Sequence, residues 1–205
     1  LYFDLSLKKW VTESIVTYNG KTTVTQTGHT GDENPEPPAK VEIRGSRIDK
    51  TTVKFKFKIK VTNEGEIAGY VKELIDYVPE GLKFVAKDNP LWREEDGKVL
   101  TDQLKDTLLE PGESTTVDII LTWINSKDNL GLKTNWAEIY EDDNEYDSPD
   151  IDSTPGNNVK GEDDIDDAPV ILSVVTGSVP TYITLALASI SMVAGGVILI
   201  KKFVI

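Results

Sequence analysis

Five apolar residues at every second position, Val53, Phe55, Phe57, Ile59 and Val61, alternate with Lys54, Lys56, Lys58 and Lys60. A period of two separates these sets onto opposite faces of a strand, so the segment predicts a half-buried β-strand. The lysine row reads as solubility and edge protection rather than as a binding patch. Near the N-terminus Phe3, Leu5, Leu7 and Val11 share one face and Lys9 stands among them. Tyr2, Asp4, Ser6, Lys8, Trp10 and Thr12 take the other face. Asn19-Gly20 is a hairpin signal that turns Ser14–Thr17 back against Thr22–Gln26. Gly28–Ala39, with three prolines and two glycines, is a loop. Further strands are expected at Tyr70–Val78, Leu82–Ala86, Thr115–Ile124, Lys133–Tyr140 and Pro169–Val175. Pro79-Glu80-Gly81 and Glu110–Glu113 are turns, and Asp102–Leu109 has room for a short helical turn. About eight strands without a long soluble helix predict an all-β sandwich over residues 1–175.

The pattern changes at the C-terminus. From Ala168 to Ile200 there is no charged residue. Residues 181–200, wound as a helix, span about 30 Å, the thickness of a bilayer core. Pro180 suits the first turn, Tyr182 one interface, and Lys201 and Lys202 the cytoplasmic side. A buried core helix is the competing reading, but no second helical segment exists to bury it. The expectation is therefore a linker at 176–180, a transmembrane helix at 181–200 and a cytoplasmic tail at 201–205. The sandwich then stands outside the cell. The chain starts at Leu1 without a signal peptide, so it reads as the C-terminal part of a longer exported precursor with other domains.

Charge and composition narrow the function classes. There are 22 Lys+Arg against 35 Asp+Glu, a net charge of −13. Nucleic acid is excluded as a partner, because phosphate binding needs a basic face. No cysteine is present, which removes disulfides, thiolate metal sites and a thiol nucleophile. One histidine, His29, leaves no His-pair zinc site. The acidity is local: Glu141–Asp167 holds 12 acids and one base, Lys160. This stretch is expected to be a loop too acidic to pack as core. Clustered carboxylates repel one another unless a cation bridges them, and hard oxygen ligands suit calcium. Asp150, Asp152, Asp163 and Asp164 are the candidate calcium ligands. The later Gly and Glu of an EF-hand loop are missing, and a solvated loop is the alternative.

Several motifs occur in an order that resembles a known family. They are Val61-Thr62-Asn63-Glu64-Gly65, Ala68, and Asp76-Tyr77-Val78-Pro79-Glu80-Gly81-Leu82-Lys83-Phe84. Leu109–Glu113, Thr134-Asn135-Trp136-Ala137 and Asp150–Asn157 follow. Together, over about residues 1–172, they resemble the DUF11-type repeat domains of Gram-positive bacterial cell-surface proteins. That resemblance implies an immunoglobulin-like β-sandwich. Some relatives resemble the CnaA-type pilin and adhesin domains, which form an intramolecular isopeptide bond.

The resemblance gives Lys9 a role. An ammonium on an apolar face is costly to bury unless it is paired or neutral. In the resembling domains the lysine lies on the first strand, the acid before the P-x-G-L turn and the asparagine near the T-N-x-A strand. Those positions here are Lys9, Asp76 and Asn135. Asp76 is in phase with Leu74 and Val78, and Asn135 with Ala137 and Ile139. The opposite faces, with Ile75 and Tyr77 or with Trp136 and Tyr140, are also apolar enough to be the buried ones. Neutral Lys9 would attack the Asn135 amide, with Asp76 protonated by its apolar site and shuttling a proton to the departing ammonia. The alternative is an ordinary Lys9–Asp76 salt bridge.

Ser173-Val174-Val175-Thr176-Gly177, the apolar run and the two lysines follow the order of a sortase signal, L-P-x-T-G, helix and basic tail. The leading Leu-Pro is absent, so a permanent membrane anchor stands beside a non-standard sorting site at Thr176-Gly177 that sortase would join to the cell wall. The functional expectation is a membrane-proximal structural stalk module of a surface or pilin-like protein. A ligand-binding adhesin domain and a carboxylate-pair hydrolase are the alternatives.

Overall fold

The computed structural model describes residues 1–175. Twelve strands follow one another in this part of the chain. They are β1 (Leu5–Tyr18), β2 (Lys21–Gln26), β3 (Ala39–Arg44), β4 (Thr51–Asn63), β5 (Gly69–Tyr77) and β6 (Leu82–Phe84). After them come β7 (Arg93–Glu95), β8 (Lys98–Thr101), β9 (Leu108–Leu109), β10 (Ser114–Trp123), β11 (Gly131–Asn144) and β12 (Ile165–Val175). One sheet has the order β2-β1-β4-β10-β6 and the other β3-β12-β11-β5-β8-β7, with β9 on β5. The protein is an all-β sandwich. Residues 1–174 form one compact unit.

The alternating segment became β4, and its five apolar side chains are wholly buried. It is flanked by β1 and β10, so it is a central strand and its lysines guard no edge. They lie on the outer face, and three of the four are paired there. Lys54 meets Asp88 at 2.7 Å, and Asp118 takes Lys56 at 3.1 Å and Lys58 at 2.8 Å. Asn19 and Gly20 turn β1 into β2 with φ of 50° and 73°, the left-handed pair that a two-residue hairpin needs. The register of β1 on β4 slips between Val11 and Glu13, so Thr12 is a bulge residue.

Trp10, expected on the outward face, is nevertheless buried. The loop after β2 folds over it. A Cβ on Gly31 would lie 2.3 Å from the indole Cε3, and φ there is +80°. Only glycine brings the backbone that close. The acidic stretch 141–167 is not all loop. Its first four residues continue β11 and its last three open β12, earlier than the expected start at Pro169. The acids are tolerated because Asp166 and Asp167 pair in register with Ala137 and Trp136, and because Asp166 Oδ2 accepts the Lys9 N–H at 2.7 Å. Short length hid β7, β8 and β9, whereas β3, also not expected, alternates buried Ala39, Val41 and Ile43 with exposed Lys40, Glu42 and Arg44. Among the described residues no helix is long and apolar enough to cross a membrane. The expected span at 181–200 and the sorting positions Thr176 and Gly177 lie outside the described residues.

Candidate functional site

Lys9 sits in the middle of β1, opposite Ile59 of β4, with its side chain turned into the core. It is 0% exposed. Its Nζ lies 2.5 Å from Asp76 Oδ2 and 5.2 Å from the centroid of the Phe57 ring. Asp76, on β5, is 2% exposed and paired in register with Ala137 of β11 and Val99 of β8. Asn135, on β11, is 0% exposed. Its Nδ2 donates to Asp76 Oδ1 at 2.7 Å and to the Tyr77 carbonyl at 3.3 Å, while its Oδ1 has no partner. Of the two faces open in sequence, Asp76 and Asn135 occupy the inward ones.

One carboxylate thus holds an amine on one oxygen and a carboxamide on the other, across the space between the sheets. Burial pushes the Lys9 ammonium below its ordinary pKa, and the neighbouring Asp76 charge opposes this. Such a setting favours a neutral amine, the nucleophilic form. The site is also braced from behind. The Lys9 main-chain N–H donates to Asp166 Oδ2, and the Leu7 N–H donates to the Asp163 carbonyl at 2.7 Å. A surface cleft of about 680 Å³ reaches Asp76 and is lined by Tyr77, Phe84, Lys98 and Tyr140.

A second group of acids gathers at the start of β1. Carboxylate oxygens of Asp4, Asp150, Asp152 and Asp163 lie within 4.8 Å of one another. Asp4 was not anticipated. It precedes β1 on the face that alternation assigns to solvent, and the bridge between Phe3 and Asp150 and the bond from the Leu5 N–H to Asp150 Oδ2 bring it to the acidic segment. Asp164 corrects the expectation in the other direction, because it is not a member of this group. It is 1% exposed, both its oxygens lack a partner, and burial followed by the charge of Glu138 pushes its pKa to about 7. Glu138 is another buried acid that alternation missed. It accepts from the Tyr77 hydroxyl and, through Oε1, from the Asn158 N–H at 2.8 Å. The part of the segment between β11 and β12 covers these outward-facing residues, which no periodicity reports.

No protein-family model matches the chain. No curated protein matches it either. Several solved structures do. A CARDB domain from Pyrococcus furiosus, crystallised in complex with di-metal ions, is 11% identical, with 85% of this chain and 96% of that one covered and a TM-score of 0.37. A solution structure of the same domain is 11% identical over 83% of this chain and 96% of that one, with a TM-score of 0.35. A β-glucosidase from Listeria innocua is 15% identical over 85% of this chain but 17% of its own length, with a TM-score of 0.34. The all-β sandwich rests on the two sheets of this chain.

Proposed function

We propose that this chain is a structural stalk module of a cell-surface protein, stapled by an autocatalytic amide between Lys9 and Asn135. The observation that carries the reading is the single Asp76 carboxylate shared by the Lys9 amine and the Asn135 amide, at 2.5 and 2.7 Å, among buried side chains. Transfer of one proton from Nζ to Asp76 leaves a neutral amine facing its target. Nζ then attacks Asn135 Cγ. As Cγ becomes tetrahedral, Nδ2 becomes a basic amine and takes a proton from the carboxyl group. Nζ, which still carries two protons after the attack, gives the surplus one to Asp76. The Cγ–Nδ2 bond breaks, and the departing ammonia takes that proton and leaves as ammonium, so Asp76 ends as it began. One C–N bond replaces another, so no oxidant or co-reactant is needed. The cleft beside Asp76 offers ammonia a way out. The event happens once per molecule, which separates it from turnover.

The uncharged run to Ile200, followed by Lys201 and Lys202, supports a membrane anchor with the sandwich outside. Thr176-Gly177 ahead of it supports a sortase substrate only in part, since the Leu-Pro of the signal is replaced. The intact mass of the purified chain tests the staple. A mass one ammonia below that of the sequence is expected. The 2.5 Å contact favours one rival, a buried Lys9–Asp76 ion pair with no bond to Asn135, and a full sequence mass would establish it.

A further inference from the structure

Asp4, Asp150, Asp152 and Asp163 come from three separated stretches of chain, and their carboxylate oxygens lie within 4.8 Å of one another. Ligands held at 2.3–2.6 Å from one calcium ion are separated by at most roughly 5 Å, whereas a magnesium shell is tighter. Acidic side chains gather on many surfaces without a ligand, but here a different feature points the same way. Ser153 is 9% exposed and its hydroxyl has no partner, although its own N–H donates to Asp150 Oδ1 at 3.2 Å. A neutral oxygen with free lone pairs is thus fixed on the turn that presents Asp150 and Asp152. Asp4 Oδ1 and Asp163 Oδ1 are also shut off from solvent without a donor. The Asp163 side chain contacts that of Asp152, acid against acid, and burial followed by the charges of Asp152, Asp4 and Asp150 raises its pKa to about 7.

The geometry points to a calcium site formed by Asp4, Asp150, Asp152 and Asp163, with the Ser153 hydroxyl as a neutral ligand. Asp150 is already oriented for it. Its Oδ2 accepts the Leu5 N–H at 2.8 Å, and its Oδ1 accepts the N–H groups of Asp152 and Ser153. Calcium in this place ties the start of β1 to the start of β12 and to the segment before it. The ligand set shares no residue with Lys9, Asp76 and Asn135, so the site stands whether or not the amide forms.

The test uses the full 205-residue chain, freed of divalent ions with EGTA and titrated with calcium chloride or magnesium chloride while melting is followed. Calcium is expected to raise the melting temperature saturably, and magnesium to do so more weakly. Asp152→Asn, at an exposed position, and Asp163→Asn should each weaken the apparent calcium affinity at least tenfold. Asp128→Asn, an exposed acid outside the group, should leave it unchanged. A parent chain indifferent to calcium, a magnesium response equal to that of calcium, or a calcium response retained in full by both variants would overturn the site.

Discussion

Lys9 and Asn135 belong to different sheets and meet on the two oxygens of one carboxylate, that of Asp76. An amide between them would close a loop of roughly 125 residues, for which the chain-entropy model developed for disulfides gives about 5 kcal/mol.

Asn135→Ala and Lys9→Met should therefore both show the full sequence mass and melt on the order of 10–20 °C below the parent. Asp76→Ala should keep the full mass as well, because the proton relay is gone while both reacting side chains remain. Intact-mass spectrometry and calorimetry on the same samples check these outcomes. A variant lacking Asp76 that still loses ammonia would remove the carboxyl from the chemistry.

Stability should fall as pH rises when divalent ions are chelated. The Asp163 and Asp164 carboxyls have pKa values raised to about 7, above the 3.8 of a free aspartate. Between those values the folded chain holds protons that the unfolded chain releases, so folding is disfavoured progressively from about pH 4 to pH 7 and levels off above. Melting measured from pH 4 to pH 8 should show this decline. Asp164→Asn, which keeps the shape without the charge, should flatten it and melt higher than the parent at pH 8.

Gly31→Ala places a methyl group 2.3 Å from the Trp10 ring at a φ of +80°. Backbone strain and overpacking each cost about 1–3 kcal/mol, and the loop over β1 should loosen. Urea unfolding should show the loss, and Trp10 fluorescence should shift to the red in the folded variant.

Residues 181–200 should hold the chain in membranes through alkaline carbonate washing, as their uncharged length requires. Truncation after Val175 should release the remainder into the supernatant. Release of the full chain by the same wash would remove the anchor from the proposal.

Period-two alternation made the core strands legible. β4 carries its apolar residues in unbroken alternation, and β1, β10 and β11 do so over part of their length, so these strands and the inward phase of Lys9 could be read directly, whereas their division between two sheets could not. Short strands such as β7, with the exposed sequence Arg93-Glu94-Glu95, have no apolar face to declare them. Composition misplaced the acids for a related reason. It counts charge but not hydrogen bonds, and Asp166 is held by the Lys9 N–H from a strand remote in sequence. Asp4 and Glu138 were missed because alternation assigns them to solvent, whereas the chain between β11 and β12 returns over that face. The triad could be placed in sequence only through the motif order, since phase alone left two faces open at Asp76 and at Asn135.

The bonds from Leu7 and Lys9 to Asp163 and Asp166 have a mechanical meaning. Tension on the two ends of residues 1–175 enters through β1 and leaves through β12. These strands belong to different sheets, yet the main chain of β1 is joined to the carbonyl of Asp163, just ahead of β12, and to the Asp166 side chain within it. The shortest path for a pull therefore crosses a few hydrogen bonds beside the core and bypasses most of the polypeptide. The hairpin of β1 and β2 and the strands from β3 to β10 are left slack until those bonds yield.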